Sequence, residues 1–278
     1  MRPQEINLVM SLCGRRAGLK VSGRKTYLME TRLAPAARWA GFASVSALLQ
    51  EVRDSRDDKL IWAVVEAMTC PETRFFRDRS LFEAIETRIY PSVARARQGD
   101  PVRIWSAAVS TGQEIYSLAM TFERLQRNRR QPIVDLAASD ISKVALERAQ
   151  AALYSQGEVQ AGLPIRLLVK YFEKEGEAWR LSPRIRRMVR WRRVNLMASL
   201  EDVGEFDIIL CRNLVCDLEV SRARRVIENL ASALAPGGYL ILGRQDDPAL
   251  AEGVYQPTGA PGIFRSRCDR DRGAEAAA

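Results

Sequence analysis

"VRIWSAAVSTGQEIYSLAMTFERLQ", residues 102–126, decides the fold. A short apolar run is followed by a turn of small residues. From Gln113 to Gln126 the apolar side chains then recur at spacings of three and four, so the stretch reads as strand, loop and helix. The same unit recurs downstream. "VDLAASD" (134–140), "FDIILCRN" (206–213) and "GGYLILGRQ" (237–245) are further short apolar runs, and Lys143–Ala152 and Arg222–Leu234 are further helical stretches. Alternation of this kind predicts an α/β domain with a doubly wound, mostly parallel sheet.

The remaining segments are placed around that core. Residues 1–68 carry helical periodicity only, and basic residues outnumber acids in the first forty positions, which predicts a basic helical N-terminal domain. Residues 69–90 read as a linker helix and 91–278 as the Rossmann-like domain. An interruption at about 154–193 is too long for a simple connection and predicts an inserted antiparallel β subdomain. It closes on an arginine cluster, "SPRIRRMVRWRRVNL" (182–196), which suits either a solvated edge strand or a partner-docking surface.

Composition narrows the chemistry. The chain has 278 residues, a net charge of +9 and no histidine. Lack of an imidazole excludes Ser-His and Cys-His triads and most zinc sites. The five cysteines are scattered without metal-like spacing, and no metal is expected. The positive charge suits an acidic partner. No apolar run approaches the ~20 residues of a membrane span, and the N-terminus lacks signal-peptide order, so a cytoplasmic protein without membrane insertion is expected.

In open α/β sheets, ligands bind beyond the carboxyl ends of the strands. The first run ends in Ser106–Gly112, where small residues including Ala107 let a ligand approach the backbone, and opens onto Glu114. The second ends in Asp140, placed either to accept ribose hydroxyls or to cap the following helix. The third ends at Asn195–Leu196 and the fourth at Arg212–Asn213. Four such ends without a phosphate-cradling loop fit an adenosine cofactor lacking phosphates, such as S-adenosylmethionine. Methyl transfer from a sulfonium to an ionised carboxylate also needs no general base.

Five motifs then combine in order: "CPETRFFRD" (70–78), "WSAAVSTGQEIYSLAM" (105–120), "AASDIS" (137–142), "VNL" (194–196) and "ILCRNL" (209–214). Together with "AGLKVSGRKTYLMETRL" (17–33) they resemble the CheR-type chemoreceptor glutamate O-methyltransferases over nearly the whole chain. The resemblance implies the class I S-adenosylmethionine methyltransferase fold, with S-adenosylhomocysteine as product. It implies glutamates on acidic helices of chemoreceptors, or of related signalling proteins, as acceptors. By motif position Thr73 and Arg77 reach the cofactor pocket from the linker, with Arg77 beside the reacting groups. Glu114 and Asp140 match the cofactor-binding acids, Asn195 and Leu196 the residues at the adenine, and Arg212 and Asn213 the pair at the cofactor's amino-acid end.

The chain departs from the family pattern at two places. Asp217 stands where the family has a tyrosine by the reacting methyl, and Arg244-Gln245-Asp246 replaces a His-Ser-Glu sequence. An anion at 217 would repel a glutamate acceptor, and a pairing of Asp217 with Arg212 or Arg244 would relieve that repulsion. A degenerate member that binds cofactor as a regulatory or scaffold protein is the alternative reading. A nucleic-acid methyltransferase is disfavoured, because no base-flipping motif of the Asn-Pro-Pro-Tyr type occurs. The stretch "KYFEKEGEAWRLSPRI" (170–185) is short of the insertion found in members that dock a receptor tail peptide, so independence from that peptide is expected.

Overall fold

The computed structural model describes residues 1–21, 26–69, 73–126 and 134–266. It divides into two compact units, Met1–Cys70 with Val215–Arg225, and Pro71–Leu214 with Val226–Ala278.

The first unit is helical: α1 (Pro3–Ala17), α2 (Thr26–Trp39), α3 (Val45–Ser55) and α4 (Asp58–Met68). Each boundary has a local cause. α1 starts at a proline in its first turn, with the Arg2 N–H donating to Glu5 Oε2 at 2.6 Å, and stops at Gly18 in the left-handed region. Ser44 and Asp57 cap α3 and α4, accepting from the backbone N–H groups of Ala47 (3.1 Å) and Lys59 (2.8 Å). The spacing of Val9, Leu12, Met29, Leu33, Leu48, Leu49, Val64 and Val65 brings these side chains together as a buried core.

The segment after residue 214 joins this unit, which no local pattern predicts. Leu19 and Leu218 form an antiparallel bridge, and the Lys20 N–H donates to the Asp217 carbonyl at 2.7 Å.

The second unit opens with α5 (Arg79–Ala84), a π turn (Ile85–Ile89) and α6 (Tyr90–Arg97), so this helical run extends past residue 90. β1 (Val102–Ser106), α7 (Gln113–Gln126), β2 (Val134–Asp140) and α8 (Lys143–Ala151) follow. Next come β3 (Leu153–Ser155), α9 (Gln156–Gln160), α10 (Ile165–Tyr171), β4 (Phe172–Glu175), β5 (Ala178–Leu181), α11 (Pro183–Arg186) and β6 (Val189–Arg193). The chain then forms β7 (Phe206–Cys211), α12 (Val220–Ser232), β8 (Leu234–Leu242), β9 (Tyr255–Pro257) and β10 (Ile263–Ser266).

The main sheet has the order β6-β2-β1-β7-β8-β10-β9, parallel except for β10, which is antiparallel to both its neighbours. Every residue of β7 is buried, as expected for a parallel strand covered on both faces. That burial includes Asp207, whose carboxylate accepts from Arg97 Nε (2.8 Å) and from the Arg103 N–H (2.8 Å). Strand order reverses at β1, between β2 and β7, and such a reversal marks the crevice beyond the carboxyl ends where open α/β sheets bind ligands.

Arg190, Arg192 and Arg193 of the arginine cluster lie on β6, the edge of the main sheet parallel to β2, which fits the edge-strand reading for them, while Arg184 and Arg186 lie on α11. The cluster does not close the inserted structure. The small antiparallel sheet β3-β5-β4 ends at Leu181, and its β4–β5 turn is only Gly176-Glu177.

Candidate active site

The site grows out of the loop after β1. The Ala107 N–H continues the sheet by donating to the Leu210 carbonyl (2.8 Å), and the Val109 N–H donates to the Ser139 carbonyl (2.9 Å). The chain then turns through Ser110, whose φ of 53° is left-handed. That turn is held by Asp140: Oδ2 accepts from the Ser110 N–H (2.8 Å) and Oδ1 from the Ser142 N–H (2.9 Å). Asp140 is therefore not the cap of α8. Ser142 fills that role, accepting from the Ala145 N–H at 3.1 Å. β2 stays in the sheet as far as Asp140, which fixes the next free hydroxyl as the cap.

Glu114, in the first turn of α7, spans the crevice. Its Oε1 accepts from Ser106 Oγ at 3.1 Å and its Oε2 from Arg212 Nη1 at 2.6 Å. Arg212 follows β7 and its side chain is only 2% exposed. A buried guanidinium needs anionic partners, and Arg212 has two, because Nη2 also pairs with Asp78. Nη1 reaches the Arg77 carbonyl as well, at 3.4 Å. Arg244, three-quarters exposed, meets the other oxygen of Asp78 at 3.2 Å. Arg212 and Arg244 thus meet at Asp78.

The strap that carries Arg77 and Asp78 has its own anchors. Phe75 is fully buried, edge-on to Tyr154 (5.0 Å between centroids) and to Phe172 (5.7 Å) of the small sheet. Gly162 comes so close that an added Cβ would lie 2.3 Å from the Phe75 carbonyl oxygen. The Phe76 N–H donates to Ser117 Oγ on α7 at 2.9 Å. Thr73 is half-buried at the start of this strap.

On the far side, Asn195 Oδ1 accepts from the Met197 N–H (3.0 Å), and the buried Leu196 gives its carbonyl to Asn229 Nδ2 (2.8 Å). Asn213 has a φ of 57°, and its N–H donates to Asp246 Oδ2 at 2.7 Å. Asp246, 5% exposed, takes the Gly243 N–H on the same oxygen at 2.7 Å. An added Cβ on Gly243 would lie 2.8 Å from the Asn213 nitrogen, so only glycine fits there. Asp78 and Asp246 were not singled out as site residues from the sequence. Their positions, directly after Arg77 and three residues past the end of the GGYLILG strand, were the available signals.

A family model described as "CheR methyltransferase, SAM binding domain" matches residues 71–259. The chain belongs to the CheR methyltransferase family. A chemotaxis protein methyltransferase of Vibrio parahaemolyticus is 37% identical over 232 residues, covering 82% of this chain and 84% of that protein. Chemotaxis protein methyltransferase 1 of Pseudomonas aeruginosa is 35% identical, covering 82% and 85%. A solved TehB-like methyltransferase of Corynebacterium glutamicum is 13% identical, with a TM-score of 0.36 over 67% of this chain and 91% of that one.

The cofactor of this CheR-family chain is S-adenosylmethionine, and the crevice fits it. Two polar atoms buried at its rim, Ser110 Oγ and Arg212 Nε, lack partners among the described residues. A ligand with hydroxyl and carboxylate groups would satisfy both. Two carboxylates, Glu114 and Asp140, supply acceptors for an ammonium and for hydroxyls.

Asp217 is exposed, in a 3₁₀ turn (Val215–Asp217) that belongs to the first unit. Cys70 of the linker motif lies outside the described residues.

Proposed function

We propose that the protein transfers the methyl group of S-adenosylmethionine to glutamate side chains on acidic helices of chemoreceptors or related signalling proteins. The observation that carries this reading is the convergence of the Arg77–Asp78 strap, Glu114 and the buried Arg212 at the mouth of the crevice. The named relatives support the chemotactic setting.

The bound cofactor supplies an electrophilic methyl on a sulfonium. The chain's own residues do the rest. Glu114 and Arg212 hold the amino-acid end, Asp140 takes the ribose hydroxyls, Asn195 and Leu196 flank the adenine, and Ala107 lets the backbone come close. Thr73 and Asn213 complete the pocket. Arg77 orients the acceptor carboxylate in line with the methyl group, which is where positioning contributes most of the rate. No base is needed, since glutamate is already ionised at neutral pH.

The basic N-terminal helices complement acidic receptor helices. The two-residue β4–β5 turn supports independence from a receptor tail peptide. Among the described residues no helix is long and apolar enough to cross a membrane.

Arg77→Ala tests the assignment. It abolishes methyl transfer while leaving S-adenosylhomocysteine binding intact by calorimetry; undiminished transfer refutes the role given to Arg77.

A further inference from the structure

We infer that Asp78 is a positioning residue of the methyl-transfer site, a latch that fixes Arg212 and closes the strap over the cofactor's amino-acid end. This rests on the reading of Arg212 given under Proposed function.

Three observations carry it. Asp78 holds a φ of 65°, a conformation that costs a non-glycine residue free energy and that Asp and Asn tolerate better than most. The strain is held by its carboxylate, one oxygen of which pairs with Arg212 after β7 while the other meets Arg244 after β8. Two loops from separate strands are thereby tied to the residue that directly follows Arg77.

The second observation is the guanidinium itself. Arg212 is clamped on Nη1 by Glu114 and on Nη2 by Asp78, so the plane of the fork is fixed from two sides. Nε, buried and without a partner among the described residues, is thus aimed in one direction. Without the Asp78 carboxylate, the fork keeps a single ionic anchor at Glu114 and can swing about it. Nε then no longer meets a ligand group in a fixed place.

The third is the separation of roles around the crevice. Asp140, Asn195 and Leu196 hang on β2, β6 and Asn229, and none of their hydrogen bonds described above involves Asp78. A loosened latch therefore affects the amino-acid end of the cofactor and spares the adenosine end. Arg244 is mostly exposed, so its share of the latch is the weaker one.

Asp78→Asn removes the charge while keeping a side chain that accepts the left-handed backbone. Asp78→Gly keeps the backbone and removes the side chain. Calorimetry on the full chain with S-adenosylhomocysteine and with 5′-methylthioadenosine, which lacks the amino-acid end, reads the result. The expected outcome for both variants is S-adenosylhomocysteine binding weakened about tenfold, with 5′-methylthioadenosine bound as by the wild type. Equal weakening of both ligands would assign Asp78 a general structural role and overturn the proposal. Unchanged or tighter S-adenosylhomocysteine binding would also overturn it, the tighter case meaning that Asp78 merely competes with the cofactor for Arg212. Because the assay needs no acceptor, it stays decisive even if the wild type methylates no glutamate.

Discussion

Asp246→Ala is expected to disrupt the turn that presents Arg212 and Asn213. Asp246 is 5% exposed, and one of its carboxylate oxygens accepts from two backbone N–H groups, those of Asn213 and Gly243, at 2.7 Å each. Alanine leaves the buried Gly243 donor and the part-buried Asn213 donor without that partner. An orphaned buried donor costs about 1–3 kcal/mol, and the part-buried one adds less than that. Asn213 also sits in the left-handed region, a conformation kept only while its surroundings enforce it. Asp246→Asn presents an amide oxygen that can take the same two donors, losing only the assistance of charge, about 1–2 kcal/mol in all. Amide hydrogen exchange on the full chain separates these cases. The Asn213 and Gly243 amides should be strongly protected in the wild type, moderately less in Asp246→Asn and least in Asp246→Ala, with S-adenosylhomocysteine affinity falling in the same order. Unchanged protection of both amides in Asp246→Ala would refute the reasoning.

Two further predictions concern charge. Glu5 accepts from the backbone and side chain of Arg2, chiefly the backbone N–H, and these hydrogen bonds hold its carboxyl at about 2, below the ordinary 4.5. A depressed pKa stabilises the folded state above pH 4.5, and that contribution is lost as the pH falls toward 2, with an upper bound of about 3 kcal/mol. Thermal unfolding of wild type and Glu5→Gln should therefore differ at pH 7 and converge near pH 2; a gap that widens on acidification contradicts this. Asp217→Tyr restores the hydroxyl that the family pattern places there and removes an anion. Transfer to glutamate should rise about tenfold, a relief of about 1.4 kcal/mol, and a fall in rate would show that the aspartate has its own role.

The parallel core was readable because its strands are largely buried and each carries a short apolar run, such as Ile208-Ile209-Leu210 of β7 and Tyr239–Leu242 of β8. Helix α7 was readable from Gln113 to Gln126 because its apolar period is uninterrupted. The short strands β9 and β10 and the mostly exposed β4 leave no such run: "YQP", "IFRS" and "FEKE" are brief, and the last is mostly charged. The adherence of residues 215–225 to the helical unit depends on the Leu19–Leu218 bridge, a contact between positions far apart in sequence. The same holds within the site. Arg212 and Glu114 follow from strand-end logic, whereas the tasks of Asp78 and Asp246 are set by loops that only the folded sheet brings together.

The most direct test of the central claim is methyl transfer itself. The full chain is incubated with S-adenosylmethionine carrying a labelled methyl group and with cytoplasmic fragments of chemoreceptors, and base-labile label is counted. Base-labile methyl esters are expected on receptor glutamates, and they are lost when those glutamates are replaced by alanine. Binding of S-adenosylhomocysteine without any base-labile incorporation would contradict that claim.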